Sequence, residues 1–192
     1  MPSAPETLPL LLRLRTETRP YHDSLEQNVF NQALTAGTLT AANTTHFLAK
    51  MYGFMRPYEA ALQQHAATFA PAWTLTQRFR ANLILRDLHR SAEAPGLPEC
   101  PTMPPLHTTA QLLGAMYVME GSTLGGQVIA RQLAKADIPL RHYFSGYGER
   151  TGPMWKTFCQ LLTEAATTTN QDEIVASASL TFKQLDAWIN QQ

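Results

Sequence analysis

Residues 109–136 constrain this chain more than any other segment. Apolar side chains recur at helical spacing from Thr109 to Ala136, yet the stretch YVMEGSTLGGQ at 117–127 places Gly121, Gly125 and Gly126 in its middle. Each glycine weakens a helix by about 1 kcal/mol relative to alanine. A run this long and apolar predicts a buried helix, so the glycines must answer to something close. Two readings satisfy that demand. Either a neighbouring helix packs backbone to backbone, or a planar ligand lies where a Cβ would stand.

Other glycine chemistries fail on the residues. A phosphate loop requires a Lys-Ser/Thr pair after a strand, and a dinucleotide fingerprint requires a strand–turn–helix setting. Neither occurs. A membrane packing motif requires an apolar span, but Glu120 and Arg131 bracket the glycines.

Nearly every other apolar segment also has helical rather than alternating periodicity. Thr7, Leu8 and Pro9 predict a cap and first turn for a helix towards Asn28, which Pro20 should bend or restart just before His22. A short helix is expected over 29–35, stopping near Gly37. Thr40 opens a longer one through Phe47, Met51, Phe54 and Tyr58, with a kink at Pro57. Pro71 precedes another, with Phe79, Leu83 and Leu88 on its apolar face. Residues 91–107 hold five prolines and predict a loop. RHYFSGYGERTGP reads as a loop anchored by Tyr143, Phe144 and Tyr147. A helix follows over 153–167, and Asn170 with Glu173 makes a capping-box-like start for the last one. The expected fold is all-α, a single domain over residues 1–192 with seven or eight helices.

The chain has 192 residues and a formal net charge of zero, with acids and bases dispersed. No basic stripe for nucleic acid appears. The N-terminal LPLLL is interrupted by Arg13 and Arg15, so neither a membrane span nor a signal peptide is expected. Cys100 and Cys159 have no metal-ligand spacing, which fits a reducing compartment. A cytoplasmic monomer is the expectation.

The candidate chemistry lies on the first helix. Arg15, Arg19, His22 and Glu26 follow at steps of four, three and four, and so share one helical face. A carboxylate on one imidazole nitrogen fixes the tautomer and leaves the other free as a neutral metal ligand. The two arginines suit a flat iron ligand bearing carboxylates. The same stripe also reads as a solvated surface, with Arg19 paired to Asp23.

Taken together, TETRPYHDSLE and YVMEGSTLGGQVIARQL resemble the heme oxygenases, in particular the bacterial branch associated with bacteriophytochromes. The YFSGYGERTGPMWKTF segment resembles that branch too. The resemblance implies a helical heme oxygenase-like fold, with heme between the first helix and a kinked distal helix. It makes His22 the iron ligand and Glu26 its hydrogen-bond partner, and sets Arg15, Arg19 and Lys156 near the propionates. Gly121, Gly125 and Gly126 become the distal wall. Met116 and Tyr117, beside the glycines, are further candidates for contact with the porphyrin. Many members carry an aspartate just after the first distal glycine. This chain has Ser122, whose hydroxyl orders water but is no carboxylate.

The implied reaction uses heme as both cofactor and substrate. Oxygen and reductant cleave it to biliverdin, carbon monoxide and ferrous iron. The implied partners are an electron donor, a ferredoxin or a reductase, and a bacteriophytochrome receiving the bilin. Three other readings compete. One is a non-catalytic heme carrier. A second is a helical hydrolase of thiamin-like compounds with Cys159 as nucleophile. The third, a carboxylate-bridged di-iron bundle, lacks its Glu-x-x-His pairs. The remaining histidines, His46, His65, His89, His107 and His142, show no metal-site spacing and are expected in surface or core roles.

Overall fold

The computed structural model describes residues 8–89 and 96–191, and among these it contains eight α-helices and no strand. Thr7 lies outside the described residues, and the first helix, α1, spans Leu10–Glu17 after Pro9. The chain breaks at Thr18 and restarts as α2, Arg19–Leu25, with Pro20 in its first turn. Thr18 is buried and donates its hydroxyl back to the Leu14 carbonyl at 2.6 Å. The proline lacks an N–H to continue the ladder, so a restart there leaves no donor unpaired.

α3 spans Val29–Ala36, capped by Asn28 and closed by Gly37 at φ 68°. α4 runs over Ala41–Gln64 from a reciprocal capping box between Thr40 and Asn43. Pro57 sits inside it and cannot donate to the Gly53 carbonyl. That carbonyl instead accepts the Cys100 N–H at 2.9 Å, which ties the proline-rich connection to α4.

The segment after Pro71 departs from the expected continuous helix. Two 3₁₀ turns, Pro71–Trp73 and Leu75–Arg78, precede a short α5 over Ala81–Asp87. Thr74 adopts φ 47°, which a helix cannot contain. A carboxylate from α4 sets the new start: Glu59 accepts the N–H groups of both Arg80 and Ala81.

α6 spans Thr109–Lys135 as one element, opened by a Thr108–Gln111 capping box. α7 covers Thr151–Ala165 and α8 covers Gln171–Ile189. Asn170 caps α8 through Asp172 and Glu173, but Glu173 turns its carboxylate to the Thr108 hydroxyl at 2.7 Å. One side chain thereby joins the starts of α6 and α8.

The core is built around α8, which packs on α6, α4, α1 and α2. The Trp188 indole donates to the Lys50 carbonyl at 2.7 Å, and Ser177 donates to the Gln111 carbonyl at 2.7 Å. Gly114 permits the closest approach, since a Cβ there would stand 2.4 Å from the Ile174 carbonyl oxygen. Arg13 bridges Glu17 and Asp172, each at 2.7 Å, tying α1 to α8. Among the described residues, no helix is long and apolar enough to cross a membrane.

Candidate functional site

A cavity of about 780 Å³ opens among α1, α2, α6 and α8. Its size is in the range of cofactor pockets. Phe47 and Met51 of α4, Phe144, and Phe182 and Leu185 of α8 give it an apolar interior. Phe30, Phe47 and Phe144 stack upon one another, with Phe30 to Phe47 at 4.2 Å between ring centroids.

The first-helix stripe faces this space. Arg15, Arg19, His22 and Glu26 all line it, although the break at Thr18 leaves Arg15 on α1, Arg19 and His22 on α2, and Glu26 at the end of α2. His22 is about half exposed, and its ring meets Phe182 edge-on at 5.7 Å. Its Nε2 lies 3.7 Å from Glu26 Oε1 and its Nδ1 lies 3.6 Å from Asp23 Oδ1. Both are ion-pair distances rather than hydrogen bonds. The ring is therefore steered by two carboxylates and locked by neither, and either nitrogen can be released to a metal. Arg19 pairs with Asp23 at 3.5 Å, whereas Arg15 has no ion-pair partner among the described residues.

Gly121, Gly125 and Gly126 of α6 line the same cavity but have different neighbours. A Cβ at Gly125 would meet nothing within 4 Å, and one at Gly121 would make ordinary contact with Trp155 at 3.6 Å. A Cβ at Gly126 would stand 2.6 Å from the Phe144 carbonyl oxygen. Gly126 thus fits the close-packing reading, while at Gly125 the protein itself makes no demand for glycine. Ser122 opens to the cavity and donates its hydroxyl to the Met119 carbonyl at 2.7 Å.

Three further sequence candidates separate. Tyr117 lines the cavity, 5.8 Å from Trp155 between ring centroids. Met116 is fully buried in the core and outside the lining, because its position on α6 turns towards the packed side. Lys156 is exposed on α7, next to Trp155, and likewise lies outside the lining. Burial pushes the Cys159 thiol pKa up, away from the thiolate that a nucleophile requires.

Sequence reasoning missed Arg80 and gave Tyr143 only a packing role. Both line the cavity and both are buried. Behind them lies a polar cluster: Arg78 Nη1 donates to Glu120 Oε2 at 2.5 Å, and the Tyr147 hydroxyl donates to Glu120 Oε1 at 2.7 Å. Burial, reinforced by Glu120, raises the pKa of the Tyr147 and Tyr58 phenols, so both stay protonated. The available signal was Glu120 itself. An acid inside a buried apolar helix requires a buried cation, and Arg78 supplies it.

The fold matches two solved structures at 16% identity: the heme oxygenase from Leptospira interrogans and heme oxygenase 2 from Chlamydomonas reinhardtii, the latter solved without heme. The first gives a TM-score of 0.77 over 96% of this chain and 100% of that one. The second gives 0.70 over 95% and 96%. At the sequence level, a heme oxygenase from Xanthomonas campestris pv. campestris (strain 8004) is 28% identical over 135 residues, 68% of this chain and 78% of the relative. The heme oxygenase family model matches residues 8–191, and the chain belongs to that family.

Proposed function

We propose that this chain, acting as one domain, binds heme and cleaves it oxidatively to biliverdin. One observation carries the reading: a single cavity collects a half-exposed histidine from α2 and the open Gly125 face of α6. The residues fit heme. The interior is apolar, His22 offers an imidazole nitrogen, and Arg15 and Arg19 stand where carboxylates entering from solvent can be met.

Bound heme supplies both the iron and the porphyrin that is oxidised, with release of carbon monoxide and ferrous iron. The chain supplies position. His22 holds the metal side, Glu26 and Asp23 bias which ring nitrogen keeps its proton, and the arginines fix the rotation of the carboxylate-bearing edge. Gly121 and Gly125 leave the distal face of the cavity open, and the aromatic interior excludes water.

EGSTLGGQ and YFSGYGERTGPMWKTF support placing the chain in the bacteriophytochrome-associated branch, and two cysteines far apart in sequence fit a reducing, cytoplasmic setting. Its partners are then a ferredoxin or reductase and a bilin-accepting phytochrome. The test is heme addition followed by reduction in air, watched by absorption. Growth of a bilin band is the expected result. Heme that persists unchanged would identify a carrier instead.

A further inference from the structure

The conversion proposed above needs a hydrogen-bond donor beside the open face of α6. Ser122 is poorly disposed for that role. Its hydroxyl proton is already committed to the Met119 carbonyl at 2.7 Å. The same carbonyl also accepts Arg80 Nη2 at 2.7 Å. Arg80 and Ser122 therefore converge on one backbone oxygen at the cavity edge.

Arg80 is 3% exposed and makes no ion pair among the described residues. Its Nε has no hydrogen-bond partner, and neither has the Tyr143 hydroxyl, although Tyr143 is 5% exposed. Buried donors of this kind are rare because leaving them unpaired is costly. Both side chains line the cavity, and the Arg80 guanidinium lies over the Tyr143 ring at 5.2 Å from its centroid. Two unpaired donors, one of them cationic, thus stand together next to Ser122.

Their placement is built by α5 from its two ends. At the start, Glu59 holds the Arg80 N–H. At the end, buried Asp87 accepts the Tyr143 N–H at 2.9 Å, and also the His142 N–H and ring Nδ1. A single short helix therefore aligns both donors.

We propose that Arg80 and Tyr143 form the distal donor pair of this cavity, recognising a small anionic or oxygen ligand in place of a carboxylate-ordered water network. The pair rests on the heme-binding reading. Burial raises the Tyr143 phenol pKa and outweighs the opposing pull of the Arg80 cation, so the hydroxyl keeps its proton for donation.

The test titrates the ferric heme-loaded full chain with sodium fluoride, an anion sensitive to hydrogen-bond donors. Tyr143→Phe should weaken fluoride binding on the order of tenfold, as expected for one hydrogen bond to a charged acceptor. Arg80→Met should weaken it at least as much. In both variants heme affinity should change little. Tyr143→Phe should also leave the heme-free chain as thermally stable as wild type or more so, since the hydroxyl has no protein partner to lose. Ser122→Ala should shift fluoride binding much less.

Unchanged fluoride affinity in Tyr143→Phe overturns the pair, and this variant decides alone if Arg80→Met fails to fold. Loss of heme affinity in Arg80→Met with unaltered fluoride binding assigns Arg80 to the heme carboxylates and likewise overturns it. Failure of the wild-type chain to take up heme at all removes the underlying reading, and the pair with it.

Discussion

Gly125 and Gly126 are neighbours in sequence with opposite reasons for lacking a side chain. At Gly126 the Phe144 carbonyl leaves no space for a Cβ, whereas Gly125 faces an open cavity. Gly126→Ala should therefore destabilise the heme-free chain by about 1–3 kcal/mol through overpacking. Gly125→Ala should stabilise it by about 1 kcal/mol through helix propensity and impair heme uptake instead. Thermal melts and heme titrations of the pair check both signs, and equal melting shifts would refute the distinction. His22 carries a second residue-level prediction. Glu26→Gln should weaken heme binding by no more than about tenfold, the low end for a residue beside a metal-ligating histidine, because Glu26 steers the ring from 3.7 Å without a hydrogen bond. His22→Ala should weaken it further, with recovery of the axial-ligand spectrum on adding imidazole. An unaltered spectrum in His22→Ala would remove it as the ligand.

Among the elements, α6 and α8 form the contact on which the cavity depends. Gly114 lets them meet, with the Ile174 carbonyl 2.4 Å from the position of a Cβ and the Ser177 Cβ 2.7 Å from it. Gly114→Ala must push the helices apart or shift α8. The expected cost is about 1–3 kcal/mol, read as a lower denaturation midpoint. Because Phe182, Leu185 and Ile189 of α8 line the cavity, heme affinity should fall in the same variant. A midpoint equal to wild type would show that the interface is looser than this geometry. The elements also differ in how openly the sequence announced them. Thr40, Gly37 and Asn170 each terminate a helix by local hydrogen bonding, so their positions could be read directly. The 3₁₀ turns before α5 could not, because Glu59 lies on another helix and caps α5 across the core.

At the scale of the whole molecule, buried charge links stability to pH. Burial is the main cause raising the Glu59 carboxyl pKa above its ordinary 4.5, only partly offset by the hydrogen bonds from Arg80 and Ala81. The folded state then binds that proton more tightly than the unfolded chain. Its stabilising contribution is complete below the ordinary value and is lost as pH rises through the raised one. Glu59→Gln keeps an acceptor for both N–H groups and removes the titration. Relative to this variant, wild type should lose melting temperature as pH rises from about 4.5 towards neutrality. Parallel curves for the two proteins over that interval would exclude the linkage.

Helical periodicity, local caps and the paired motifs around His22 and Gly125 were determined by the sequence alone, because they depend on residues within a turn or two of one another. The all-helical architecture and the His22 stripe followed from them. Tertiary structure decided what neighbours in space decide. It separated Gly125 from Gly126, turned Met116 into the core, left Lys156 outside the cavity, and brought Arg80 to Tyr143 through the two ends of α5. Those placements arise from contacts between helices far apart in the chain, where packing and the pairing of buried polar groups override any local pattern.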